Sequence, residues 1–127
     1  MDKAMELFKA ERKRQIEKEK WTLEHDDEYK NGELLRAAMI YLHHGTDIAA
    51  PINGDRPVGW PWDAKWFKPK DRRSNLIRAG ALMLAEKERI NRTYNGQIRE
   101  GRQVLPHTGH VDHKLELATK YLDELQP

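Results

Sequence analysis

Residues 79–85, AGALMLA, decide the fold class. Wound as a helix, this run is apolar on every side, which marks a helix buried among neighbours rather than one lying on a surface. It sits inside a helical pattern over residues 71–92 that Asp71 or Ser74 can cap. Gly80 costs about 1 kcal/mol of helix propensity against Ala. Its presence points to close packing by a neighbouring helix or an aromatic ring. After Glu86 the pattern turns charged and exits to solvent.

Three more helices surround this one in the pattern. Residues 2–19 are rich in Lys, Glu, Arg and Ala, with a narrow apolar stripe of Ala4 or Met5, Leu7, Phe8 and Ile16. Arg12 falls on that stripe, so it must pair with a carboxylate or touch a ligand. Residues 32–43, GELLRAAMIYLH, place Leu34, Leu35, Ala38, Tyr41 and Leu42 on one face. Glu33 stands in the first turn, His43 and His44 read as cationic caps, and Gly45 as the stop. Residues 112–125 form a last helix, opened by Asp112, with Leu115, Ala118, Leu122 and Leu125 aligned. Residues 93–111 read as turn-rich and polar. The expected division is a helical core over 1–92, then a linker and C-terminal helix over 93–127 that covers the core or serves as an oligomerisation arm.

The connections carry the unusual chemistry. Residues 20–31, KWTLEHDDEYKN, hold the acidic cluster Glu24, His25, Asp26, Asp27 and Glu28. Thr22 can cap a helical turn there, with the acids on its dipole; a divalent metal is the sharper reading. Residues 45–70 hold four of the six Pro, and connections this long in a small domain are functional or disordered. Disorder does not suit the second half. Residues 60–73, WPWDAKWFKPKDRR, contain three of the four Trp, then Lys68, Lys70, Arg72 and Arg73. Trp60, Trp62 and Trp66 are expected to fold back onto the helices. Flat aromatic faces beside cations suit a planar anionic ligand such as a nucleotide. His107, His110 and His113 recur every three residues but straddle a loop and a helix start, without a fourth ligand for zinc.

The totals bound the class. At 127 residues the chain has the length of one domain, with 38% hydrophobic and 35% charged residues. A net charge of +2 makes no strong case for DNA or RNA. There is no Cys, no apolar run long enough to span a bilayer, and no apolar h-region in the opening residues. A cytoplasmic protein is expected.

Glu11-Arg12-x-Arg14-Gln15, Trp21, His25-Asp26-Asp27 and Gly32-Glu33-Leu34 with Ala37-Ala38 and Tyr41 resemble a family of small phage and prophage proteins of unsettled function. So do Trp60-Pro61-Trp62, Trp66-Phe67-Lys68-Pro69, Arg72-Arg73, Ala79-Gly80-Ala81-Leu82 and Ala85-Glu86. The resemblance covers residues 6–92 and implies the host cytoplasm. More distantly, the layout resembles the MazG-like all-α nucleotide pyrophosphohydrolases. That implies an all-α, small MazG-like helical bundle, here with a long Trp-rich loop and an appended C-terminal helix. In that family paired acids on two helices hold Mg²⁺ against a nucleoside triphosphate. In this chain only Glu33 stands clearly on the first such helix. On the second, the expected acids fall near Ser74 and Asn75, with Arg78 a turn later.

Three functions follow as expectations. The first is a nucleotide-binding protein without catalysis and without a cofactor. It would sequester a host immune signal, a cyclic oligonucleotide or an ADP-ribose derivative. Trp21, Trp62, Trp66 or Phe67 would stack the base, and Lys68, Arg72, Arg73 and Arg78 would take the phosphates. Arg12, Arg14 and Gln15 would complete the pocket, with His25 and Asp26 on ribose hydroxyls. Known sponges of this kind are small homo-oligomers, and a homo-oligomer is expected by analogy. The second is a Mg²⁺-dependent pyrophosphohydrolase with Asp26, Asp27, Glu33 and Glu86 as ligands, which requires those acids to converge. The third is an inhibitor that binds a host protein through the Trp-rich loop.

Overall fold

The fold, taken from a computed structural model, is described for residues 3–22, 26, 27, 29, 32–46, 52–54, 56–99, 101 and 108–125, with backbone alone at 52, 53 and 97–99. Among these residues the chain is all-α. Its helices are α1 (Lys3–Lys18), α2 (Glu33–His44), α3 (Arg72–Arg99) and α4 (Gly109–Glu124). A two-residue antiparallel pairing, β1 (Ile52–Asn53) with β2 (Arg56–Pro57), sets Ile52 opposite Pro57 in the long connection.

Helix α3 is the spine, and α1, α2 and α4 all pack on it. Ala79, Ala81, Leu82, Met83 and Ala85 are all buried, as a run that is apolar on every side requires. Ala4 and Phe8 reach it from α1, and Leu34, Ala37, Ala38 and Tyr41 from α2. Val111, Leu115, Ala118 and Leu122 close it from α4. The C-terminal helix is therefore a wall of the same core. At Gly80 a Cβ would fall on the carbons of the Phe8 ring. The absent side chain is what lets α1 approach. Gly45 ends α2 with φ −87°, outside the left-handed region; its small size matters because a Cβ there would meet Leu76.

The start of α3 is fastened twice. Asp71 accepts from the Ser74 backbone N–H at 3.2 Å and from the Ser74 hydroxyl at 2.6 Å. These bonds hold the Asp71 carboxyl below its usual pKa. Buried Asn75 accepts from the Lys70 N–H (2.8 Å) and donates to the carbonyls of Lys70 (2.9 Å) and His44 (3.3 Å). One amide thus ties the end of the long connection to the end of α2.

Three expectations need correction. Helix α3 does not stop at residue 92 but runs to Arg99, so the division between 1–92 and 93–127 falls inside a continuous helix. Thr93, Tyr94, Asn95 and Gly96 are weak helix formers, but their small propensity costs do not outweigh the gain of prolonging a helix already nucleated. Helix α4 begins at Gly109, three residues before Asp112, and the Thr108 hydroxyl donates to the Asp112 carboxylate at 3.1 Å. His44 is not a cationic cap. Its ring packs on Phe67 with centroids 5.2 Å apart, and its Nε2 is shielded without a hydrogen-bond partner. Burial first, then the charge of His43, lowers its pKa. His107 lies outside the described residues, and His110 and His113 are exposed on α4.

Gly80→Ala should lose stability. Overpacking costs about 1–3 kcal/mol, which exceeds the roughly 1 kcal/mol gained in helix propensity. Urea denaturation should show a lower midpoint, partly restored by adding Phe8→Leu. For His44 the folded-state pKa lies below the ordinary 6.5. Its contribution is therefore present at neutral pH and lost as pH falls through the folded value. The melting temperature should fall less steeply below pH 6.5 in His44→Gln than in the unaltered chain.

Candidate functional site

An unbroken ladder of rings runs along one side of the bundle. His44 meets Phe67, which lies 5.5 Å from Tyr41 and 5.0 Å from Trp60. Trp60 stands edge-on to Trp62 at 5.4 Å. Trp62 in turn meets Tyr29 at 5.1 Å and Trp21 at 6.4 Å. Trp60 is core, 6% exposed, and its indole N–H donates to the Asp63 carbonyl at 3.1 Å. Trp66 does not fold back onto the helices as expected and remains 45% exposed. Asp63 accepts from the Lys65 N–H and starts a short 3₁₀ turn, Ala64–Trp66, that carries the Trp66 ring outward. Lys65 and Lys68 stand over that ring, at 5.4 and 5.7 Å from its centroid.

Between the last rings of the ladder and Trp66 is a cleft of about 360 Å³. Trp21, Tyr29, Trp62 and Trp66 wall it together with Leu34, and Glu19, Lys20 and Asp63 border it. The Trp62 indole N–H is shielded from water and has no hydrogen-bond partner among the described residues. Size and lining suit one planar organic group. A larger groove of about 860 Å³ runs between α4 and the start of α1, past Met5, Lys87, Leu115 and Asp123. It is wide, edged by charges and without an aromatic wall, so it suits a flat ligand poorly.

The predicted binding residues divide. Trp21, Trp62 and Trp66 meet at the cleft. Arg14 and Arg78 border a second hollow of about 270 Å³ with Glu11, Lys70, Ser74 and Ile77. Arg78 donates to the Lys68 carbonyl at 2.6 Å and lies over the Tyr41 ring, whose hydroxyl accepts from the Lys68 N–H at 2.9 Å. Arg14 forms two bonds to Glu11, at 2.8 and 2.7 Å, and one to Glu19 at 3.1 Å. Glu19 is thus shared between the hollow's arginine and the rim of the cleft. Arg72 donates to the Gly45 carbonyl and Arg73 is exposed; neither borders the cleft. Gln15 is buried and donates to Glu11. His25 lies outside the described residues.

Arg12 and Asp26 are 4% and 0% exposed and face each other at 2.5 Å. This is the ion pair that a cation on a core-facing stripe requires. The Asp26 N–H donates to the Thr22 carbonyl at 3.0 Å, so Asp26 stands in the helical turn expected after Thr22, with its carboxylate turned inward to Arg12. Asp27 takes two bonds from Arg92, the shorter 2.7 Å. Glu86 takes two from Arg89, at 2.7 and 3.2 Å. Hydrogen bonding to Glu86, then the charges of Glu86, Asp27 and Glu33, raise the Arg89 pKa. So Glu33 of α2 faces the level of Glu86 and Arg89 on α3, while Asn75 and Leu76 face the opposite end of α2.

A Mg²⁺ ion needs several carboxylates whose oxygens converge on one point. Asp26, Asp27 and Glu86 turn toward guanidinium groups instead. Among the described residues no three His, Asp or Glu are placed to hold a metal ion.

Lys20 and Asp63 belong to the cleft but carried no sequence signal beyond lying beside Trp21 and Trp62; Tyr29 carried none, and Leu34 was marked only as a core-facing residue. Among the described residues no helix is long and apolar enough to cross a membrane. Asp26→Ala should strand the Arg12 charge in the core at a cost of about 3–5 kcal/mol, read as a lower urea midpoint. Arg12→Met with Asp26→Leu should recover most of it. Comparison with protein-family models, curated proteins and solved structures returned no match.

Proposed function

We propose that the chain binds a nucleotide-type ligand and retains it without cleavage. The aromatic cleft carries this reading. Its four rings offer stacking faces, and base–aromatic stacking contributes about 1–3 kcal/mol per base. The unpartnered Trp62 N–H gives a donor for a base acceptor. Beyond the exposed Trp66, Lys68 leads to Arg78, Arg14 and Lys70 at the second hollow, a path of cations that suits phosphates. Retention is supported by the arginine partners of Asp26, Asp27 and Glu86, which occupy the carboxylates a hydrolase would need. The resemblance to phage proteins supports a setting in the host cytoplasm, where a homo-oligomer sequesters a nucleotide-derived immune signal such as a cyclic oligonucleotide or an ADP-ribose derivative.

A Mg²⁺-dependent pyrophosphohydrolase of MazG-like kind is the second reading, and one observation favours it. Glu86 and Asp27 bond to Arg89 and Arg92, one turn apart on α3, so two of the four candidate acids meet neighbouring guanidinium groups.

Trp66→Ala should weaken binding of ADP-ribose or a cyclic dinucleotide about fivefold or more, the low end of a lost stack, with the helical circular dichroism unchanged. Trp62→Ala is the poorer probe, because Trp62 also packs on Trp60 and Tyr29. Unchanged affinity in Trp66→Ala would remove the cleft as the base site. Nucleoside triphosphates incubated with Mg²⁺ should stay intact by chromatography. Pyrophosphate release that disappears in Glu33→Ala would establish the second reading instead.

A further inference from the structure

Lys20 is the one non-glycine residue with positive φ, +63°, among the described residues. Elsewhere the backbone takes this left-handed conformation at Gly32, Gly54, Gly59 and Gly101. A side chain there is strained because its Cβ crowds the following carbonyl oxygen. The turn itself does not need a lysine. Its work is done by backbone: Trp21 N–H donates to the Gln15 carbonyl at 3.1 Å, and Thr22 N–H to the Lys20 carbonyl at 3.0 Å. Glycine would deliver Trp21 to the cleft with less strain.

The side chain has a second distinction. Among the described residues that line the cleft, Lys20 is the only cation. The other two charges there are carboxylates, and both are engaged. Glu19 accepts from Arg14, and Asp63 from the Lys65 N–H. Without Lys20 the lining itself would be apolar and acidic, with Lys65 and Lys68 standing over Trp66 outside it. We infer that Lys20 is a phosphate-binding residue at the aromatic cleft, additional to the cations beyond Trp66, and that it selects nucleotides over nucleosides. This rests on the nucleotide reading of the cleft and adds to it a residue that senses charge. Strain kept at a ligand site, where an unstrained residue would serve the fold, is the pattern expected of a binding role.

The test compares ADP with adenosine by tryptophan fluorescence titration, using the intact chain, Lys20→Gly, Lys20→Arg and Trp66→Ala. Lys20→Gly should melt no lower than the unaltered chain, since it relieves the left-handed strain. It should bind ADP about fivefold more weakly, the scale of one solvent-exposed ionic contact, and bind adenosine unchanged. Lys20→Arg should keep the preference for ADP. Equal loss of ADP and adenosine in Lys20→Gly would assign Lys20 a merely structural role and overturn the inference. So would unchanged ADP affinity, or a lower melting temperature. If Trp66→Ala still loses ADP while Lys20→Gly does not, the cleft reading stands and only the role of Lys20 falls. If the intact chain binds neither compound, both fall together.

Discussion

The ring of Phe8 lies against the backbone of α3 where Gly80 presents no side chain. That contact fixes how closely α1 approaches the spine. One turn later on α1, Glu11 comes within 3.8 Å of Arg78, and Arg12 reaches Asp26. At its end the same helix delivers Glu19, Lys20 and Trp21 to the cleft. Burying a phenyl ring contributes about 1.5–3 kcal/mol. Its larger effect is geometric, since polar residues further along α1 inherit their partners from it.

Arginines hold the ends of the bundle together. Arg12 joins α1 to the turn before α2, and Arg92 joins that turn to α3. The buried Arg12–Asp26 pair gains less than its Coulomb attraction suggests, because both ions lose water, whereas Arg92–Asp27 stays partly in solvent. The weight of the buried pair lies in the cost of breaking it. A chain with 35% charged residues and a thin core thereby places part of its charge inside, where each partner holds the other in place. The same pairing bears on chemistry, because a carboxylate turned to a guanidinium has fewer lone pairs left for a metal.

The spine was legible because residues 79–85 are apolar on every side, and no surface helix can carry that pattern. The aromatic connection was legible as ordered, though not which ring it would bury. Trp60 and Trp66 differ in exposure because of a local 3₁₀ turn, and composition carries no trace of it. The pairing of Glu33 with the level of Glu86 was also hidden. It follows from the antiparallel register of α2 on α3, a long-range choice that spacing along one sequence does not specify. Lys20 looked like any surface lysine until its backbone conformation was seen. The extension of α3 through Gly96 was missed for another reason. Propensity penalties there are small against the gain of prolonging an existing hydrogen-bond ladder.

Asn75 has a consequence beyond local bonding. Its amide clasps Lys70 to the junction of α2 and α3, so the connection that carries Trp60, Trp62 and Trp66 is anchored to a buried point of the core. The outer wall of the cleft is therefore preorganised rather than a lid that must swing shut. Little conformational entropy remains to be lost when a ligand enters. A ligand of such a cleft would have to match a standing shape, and its arrival would be limited by encounter rather than by closure.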